Sequence, residues 1–297
     1  MANIFDTSKR TQILSMLVEG MSMRSVSRIT GVSINTVSKL LVDAGNACAE
    51  YHDKTVRNVK AKHIQCDEIW SFVCAKQKNV KKMKAQIDGA GDVWTWTALD
   101  ADSKLIVSYL VGGRDAAYAD AFMQDVCDRL ANRVQLTTDG HKAYLEAVEG
   151  AFGADVDYAQ LIKIYGNSTE SVKGRYSPAE CTGTKKRAIE GEPDKKHVNT
   201  SYVERMNLNI RMGNRRFTRL TNAFSKKIDN HLHMLSLYFV HYNFCRIHNS
   251  LKVSPAMAAG VSDVLYDMEW VVGLIDTRKP ELKKRGAYNV KKKDISN

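Results

Sequence analysis

The sequence predicts an α/β fold, a mixed sheet flanked by helices and preceded by a small all-α N-terminal module. Three observations carry this reading. Residues 7–45 place apolar side chains at helical spacing, punctuated by Gly20 and Gly31. From His63 the pattern changes to short β-rich runs, which further along alternate with helical runs. Hydrophobic residues make up 44% of 297, enough for a sizeable core. The six cysteines are scattered with no CxxC pair, which excludes a disulfide scaffold. No apolar run approaches the roughly 18 residues of a membrane span.

The elements follow in order. Thr7 and Ser8 can cap a first helix with Ile13, Leu14, Leu17 and Val18 inward, ended by Gly20. Ser22 caps a second, with Val26 and Ile29 inward, and Gly31 turns the chain. Ser33 caps a third, with Val37, Leu40 and Leu41 inward, ending near Gly45. Two short helices joined by Thr30-Gly-Val-Ser33 form the helix-turn-helix pattern. Its second helix places N-terminal residues in a DNA major groove. Here those are Ser33, Asn35, Thr36, Ser38 and Lys39. Residues 1–50 are thus expected to form a DNA-binding domain and 51–62 a linker.

Residues 63–74 read as a strand, 76–84 as a lysine-rich turn, and 93–99 with 105–111 as a hairpin. Then come a helix over 116–130, a short buried strand over 134–138, a helix over 141–149 and a strand over 155–165. An antiparallel meander feeding a βαβ crossover is the order of a ribonuclease-H-like fold, expected over 63–250. Residues 166–197 read as an irregular loop or insertion, 198–216 and 224–245 as helices. The last segment, 251–297, holds a short helical stretch near 261–275 and a basic tail.

Three acids stand out by position. Asp67 lies inside an apolar strand, where a charge is costly unless paired or metal-bound. Asp139 ends a buried strand, where functional groups of α/β sheets gather. Glu204 lies early in the helix after the loop. In a ribonuclease-H-like arrangement they converge, and two aspartates with a glutamate can hold two Mg²⁺ or Mn²⁺ ions about 3.5–4 Å apart for in-line phosphoryl transfer. Glu68, Asp100 and Asp115 are rival ligands; Glu68 should point to the face opposite Asp67. Asn207 and Arg211 share the face of Glu204, and His141 and Lys142 follow Asp139.

The net charge is +11, which favours a polyanionic partner. It is unevenly placed: +3 over 1–60, −3 over 61–165, +5 over 166–277 and +6 over 278–297. Arg215, Arg216, Arg219, Lys226 and Lys227 make a dense basic block expected to contact phosphates.

The segments Gln-Cys-Asp67-Glu-Ile-Trp, Thr-Thr-Asp139-Gly-His-Lys-Ala-Tyr and Ser-Tyr-Val-Glu204-Arg-Met-Asn resemble the three acidic motifs of DDE transposases from bacterial insertion sequences. The block from Asn214 to Lys227 is similar to the arginine-rich stretch that follows the glutamate there. Tyr242-Asn-Phe-Cys-Arg-Ile-His-Asn-Ser-Leu and Ser254-Pro-Ala-Met-Ala-Ala-Gly resemble that family's C-terminal signature. The likeness is closest to the group named after the first-numbered insertion sequence. Members of that group often carry a cysteine-rich zinc segment before the helix-turn-helix, whereas the first cysteine here is Cys48.

The resemblance implies an enzyme that hydrolyses the phosphodiester at each element end and directs the freed 3′-hydroxyl onto target DNA. It implies Asp67, Asp139 and Glu204 as catalytic and metal-binding residues. The partners would be double-stranded terminal repeats and target DNA, bound by a homodimer or higher oligomer with no membrane. The first residues lack the basic-then-apolar layout of a signal peptide, so the expected location is the cytoplasm, at the nucleoid. Two other readings compete: a non-catalytic helix-turn-helix regulator, and a ribonuclease-H-like nuclease or resolvase that cuts without joining.

Overall fold

A computed structural model of the chain describes residues 5–85, 87–166, 181–218 and 221–278. Three helices open it: α1 (Thr7–Val18), α2 (Met23–Thr30) and α3 (Ile34–Thr55). Asp6 caps α1, one residue before the expected Thr7, by accepting the Lys9 amide at 2.7 Å. Ser22 and Ser33 cap α2 and α3 as the sequence predicts, and Gly31 closes α2 at φ 70°.

Gly45 does not end α3. It is buried inside the helix, where an added Cβ would meet His233 at 2.3 Å. The glycine is there because another helix crosses at backbone distance. The domain boundary expected at residue 50 therefore falls within α3, and its helical linker begins as the same helix. Two ion pairs fasten the end of α3: Asp53 with Arg129 at 2.7 Å and Glu50 with Arg278 at 2.7 Å. The apolar faces of the N-terminal helices join the core that also packs the sheet, in one continuous cluster from Ile13 to Ile275.

The sheet has six strands: β1 (His63–Val73), β2 (Gly91–Asp100), β3 (Ile106–Gly112), β4 (Gln135–Asp139), β5 (Asp157–Tyr165) and β6 (Cys181–Glu190), in the order β3-β2-β1-β4-β5-β6. β1–β2, β2–β3 and β5–β6 pair antiparallel, while β4 lies parallel to both β1 and β5. The meander and crossover match the order expected of a ribonuclease-H-like sheet. The short α4 (Gln77–Val80) interrupts the turn expected over 76–84. Helices α5 (Ala116–Arg129) and α6 (Ala143–Phe152) make the crossovers around β4. Trp96, Phe122 and Tyr144 are fully buried among them.

β6 corrects the loop expected over 166–197. Its side chains are exposed along nearly its whole length, so no apolar alternation marks it. Residues 167–180 of that loop lie outside the described residues, as do Arg219 and the basic tail from 279.

After β6 come α7 (Ser201–Gly213), α8 (Ile228–Val240) with one wider π turn over His241–Cys245, α9 (Pro255–Ala258) and α10 (Met268–Arg278). The seating of α7 is set from the sheet. Gln65 Oε1 on β1 accepts the amides of Tyr202 at 3.0 Å and Val203 at 3.2 Å, two of the donors a helix start leaves unsatisfied. Gln65 Nε2 donates to Asn199 at 2.7 Å. A side chain of β1 thus caps α7 and aligns its first turns over the strand. Among the described residues no helix is long and apolar enough to cross a membrane.

Candidate active site

β1 runs past the end of β4: its parallel pairing stops at Cys66 opposite Thr138, and β4 ends at Asp139. The next residue of β1 is Asp67, in the middle of that longer strand, so it stands beside Asp139 where the parallel partner β4 ends. A cavity of about 590 Å³ opens there, lined by Asp67, Glu68, Asp139, His141, Glu204 and Asn207, with Arg114, Lys163 and Arg211 also on its wall.

Carboxylate oxygens of Asp67, Glu68 and Asp139 lie within 4.8 Å of one another. Asp67 Oδ1 accepts the Glu68 amide at 2.9 Å, and Oδ2 accepts Asn207 Nδ2 at 2.8 Å. Burial first, then the charges of Glu68 and Asp139, push the Asp67 carboxyl up to about 7. Asp139 Oδ1 accepts the His141 amide at 2.9 Å, which folds the chain back after the strand.

Glu68 was expected on the face opposite Asp67, but its carboxylate lies with those of Asp67 and Asp139 on the same cavity. Tyr144 of α6 donates to one oxygen at 2.9 Å, and Arg114 Nε donates to the other at 2.6 Å. Burial and Asp139 raise the Glu68 pKa, against the opposing pull of Arg114. Arg114 also approaches Asp139 Oδ2 at 3.9 Å and lies 4.6 Å over the Trp94 ring.

Glu204 lines the same cavity from the first turn of α7 but stands apart from the three-acid cluster. Lys163 Nζ of β5 holds it at 2.5 Å, and Thr200 Oγ1 donates to it. Asn207, one turn along, reaches Asp67. Arg211, a further turn on, remains on the cavity wall. His141 borders the cavity with its ring Nε2 buried and without a partner.

The other expected residues divide. Lys142 is exposed and outside the cavity. Asp100 is used up in a turn, accepting the amides of Asp102 and Ser103, and Asp115 caps α5. Ser33, Asn35, Thr36, Ser38 and Lys39 lie at the start of α3, away from the acids, with Asn35 and Lys39 exposed. Arg215, Arg216 and Lys226 line a second cavity, and Lys227 is exposed. The sequence reading missed Arg114 and Lys163 and gave no role to Tyr144, which ends the Asp139 motif. Arg114 follows β3 and Lys163 lies on β5, and only the strand order β3-β2-β1-β4-β5 brings them to the acids.

The residues fit a divalent cation. Hard oxygen donors converge on a space where Asp67 is held without a neutralising partner of its own. Asn207 Oδ1 is buried beside them with no hydrogen bond. Asp67 and Asp139 with Glu68 or Glu204 would hold such an ion.

No protein-family model matches the chain, and no curated protein matches its sequence significantly. Among solved structures, the chain is similar to the piggyBac transposase synaptic complex with hairpin DNA at 8% identity. That match has a TM-score of 0.40 and covers 93% of this chain and 73% of that one. It is also similar to the Mos1 strand transfer complex at 14% identity, with a TM-score of 0.23, over 53% of this chain and 59% of that one. A third is the Mos1 mariner paired end complex with Mn, at 13% identity and a TM-score of 0.20, over 50% of this chain and 58% of that one. These are distant likenesses, and the functional reading stands on the cavity itself.

Proposed function

We propose that this chain is a DDE-type DNA transposase of the insertion-sequence kind, which cleaves element ends and joins their 3′-hydroxyls to target DNA. The observation that carries the reading is the meeting of Asp67, Asp139 and Glu204 in one open cavity, contributed by β1, β4 and α7. Two bound Mg²⁺ or Mn²⁺ ions would activate the attacking oxygen and stabilise the leaving one. The chain's own groups set the frame. Asn207 and the Glu68 amide fix both oxygens of Asp67, and Tyr144 and Arg114 hold Glu68. Lys163 and Arg114 put positive charge at the rim, where a phosphodiester would enter.

DNA recognition falls in this reading to α2 and α3 as a helix-turn-helix, through Asn35, Thr36, Ser38 and Lys39. The exposed cations of the basic block, Arg215, Lys226 and Lys227, grip the backbone, while Arg216 is turned inward onto Ser225 and Met23. Joining two ends requires two cavities, hence a dimer or larger assembly on DNA. The deciding experiment incubates the protein with its flanking DNA ends, Mg²⁺ and a plasmid target. Joined products that vanish in Asp139→Ala, with DNA binding retained, support the proposal. Cutting without joining would favour a nuclease, and cleavage by Asp139→Ala would overturn the assignment.

A further inference from the structure

A second cavity, of about 710 Å³, opens where the C-terminal end of α7 meets the turn between α1 and α2. Its volume is far beyond that of an inorganic anion and within the roughly 300–1,000 Å³ of small-molecule sites. One wall is apolar and polarisable, from Met21, Met23 and Phe224, and cations from Arg216 and Lys226 line the other.

Arg216 is the anomaly. Its guanidinium is largely buried, and burial pushes its pKa down to about 10 with no acidic group opposing it. It donates to Ser225 Oγ at 3.1 Å and Met23 Sδ at 3.4 Å. Ser225 Oγ meets His231 Nδ1 at 2.9 Å, and His231 Nε2 meets Ser71 Oγ of β1 at 3.3 Å. His231 stays neutral, held at about 3 by burial and then by the charge of Arg216. The relay therefore supplies no negative charge. A buried cation without a counter-charge is costly, so the position calls for an anion from outside.

A second observation points the same way. Asn214 is fully buried on the cavity wall and accepts the Arg216 amide at 3.2 Å through Oδ1. Its Nδ2 has no partner. A guanidinium with an adjacent amide donor is a phosphate-binding set. Thioethers and a phenyl ring beside it suit the flat face of a base.

We propose that this cavity binds a nucleoside 5′-monophosphate unit, with its phosphate on Arg216 and Asn214 Nδ2 and its base against Met21, Met23 and Phe224. The site shares no residue with the carboxylate cavity, although Arg215 and Lys226 on its wall belong to the basic block described above. A free nucleotide and the 5′-phosphorylated end of a DNA strand both offer that unit.

The test is calorimetric titration of the full chain in EDTA with deoxyadenosine 5′-monophosphate, with deoxyadenosine, and with a short 5′-phosphorylated single strand. Saturable binding is expected for the monophosphate, weaker by about 10-fold or more for deoxyadenosine and for Arg216→Gln. Asp67→Asn should bind as the wild type does, which separates this cavity from the carboxylates. Tighter binding of the strand assigns the unit to DNA, and tighter binding of the monophosphate assigns it to free nucleotide. Where Arg216→Gln fails to fold, Met21→Trp fills the cavity from its rim and should give the same loss. No saturable binding, equal binding of deoxyadenosine, or undiminished binding by the variants would overturn the proposal.

Discussion

Lys163 Nζ lies 2.5 Å from a carboxylate oxygen of Glu204, so the acid on α7 is tied to β5 while Asp67, Glu68 and Asp139 cluster beside it. The ammonium stands where a divalent cation drawing on Glu204 would compete with it. Removing it leaves the cavity more negative. Lys163→Met is therefore expected to bind Mg²⁺ or Mn²⁺ more tightly, by about 2–5-fold since both side chains are part-exposed and the pair is weak. Metal titration followed by thermal shift reads this directly. Unchanged or weaker metal binding would mean that the pair does not oppose the ion.

The raised Asp67 pKa has a definite sign. Folding keeps a proton on Asp67 up to about 7, whereas an unfolded aspartate releases it at about 4. The stability from that proton is full below the unfolded value and is lost as pH rises toward 7. Asp67→Asn removes the dependence, and Asn207 can turn its unpartnered Oδ1 to accept the new amide. In EDTA, the melting temperature of Asp67→Asn should pull ahead of wild type from pH 4 to pH 8. Mg²⁺ should close the gap by raising wild type alone. A pH-independent difference would contradict the assignment.

Arg114 is the cation of a nearly buried carboxylate, since the Glu68 side chain is 1% exposed and that of Arg114 37%. Arg114→Met leaves Glu68 with Tyr144 alone. The expected cost is about 1–3 kcal/mol at pH 8, below that of a fully buried pair because Arg114 is part-exposed. The cost should shrink as pH falls, because burial already raises the Glu68 pKa and loss of Arg114 removes the charge that opposes its protonation. Urea unfolding at pH 8 and at a series of lower pH values checks both the size and the trend.

Gln65 links sheet and helix through the Tyr202 and Val203 amides. Gln65→Leu strips two helix-start donors of their acceptor and should cost about 1–2 kcal/mol. It should also reduce the metal-induced thermal shift, because α7 carries Glu204 and Asn207. Gln65→Glu keeps the acceptor and suits the positive end of the helix, so it should retain most of the stability. Equal loss in both variants would argue against capping as the reason.

Much of this was legible in the sequence where one face of an element is apolar. β1 to β5, α5 and α6 follow from such patterns, Asp67 from being a charge inside an apolar strand, and Asp139 from ending a buried one. β6 was illegible because it is exposed on both faces. Gly45 was misread because a glycine that stops a helix and one that admits a crossing helix look identical in one dimension. Lys163 and Arg114 carry no local signal. Their roles arise from strand order, which places β5 beside β4 and the end of β3 near Glu68.

The 22 residues of α3 give a rod of about 33 Å. Its last two turns are bolted to α5 and α10 by Asp53 and Glu50, while its first turn faces outward. If that first turn reads DNA, the rod is a caliper, with its fixed jaw on the frame that holds the acids. The spacing between the bases read and the bond cut would then be a length built into the protein. One residue inserted in α3 would rotate the reading face by about 100° and misalign it, leaving the acids in place.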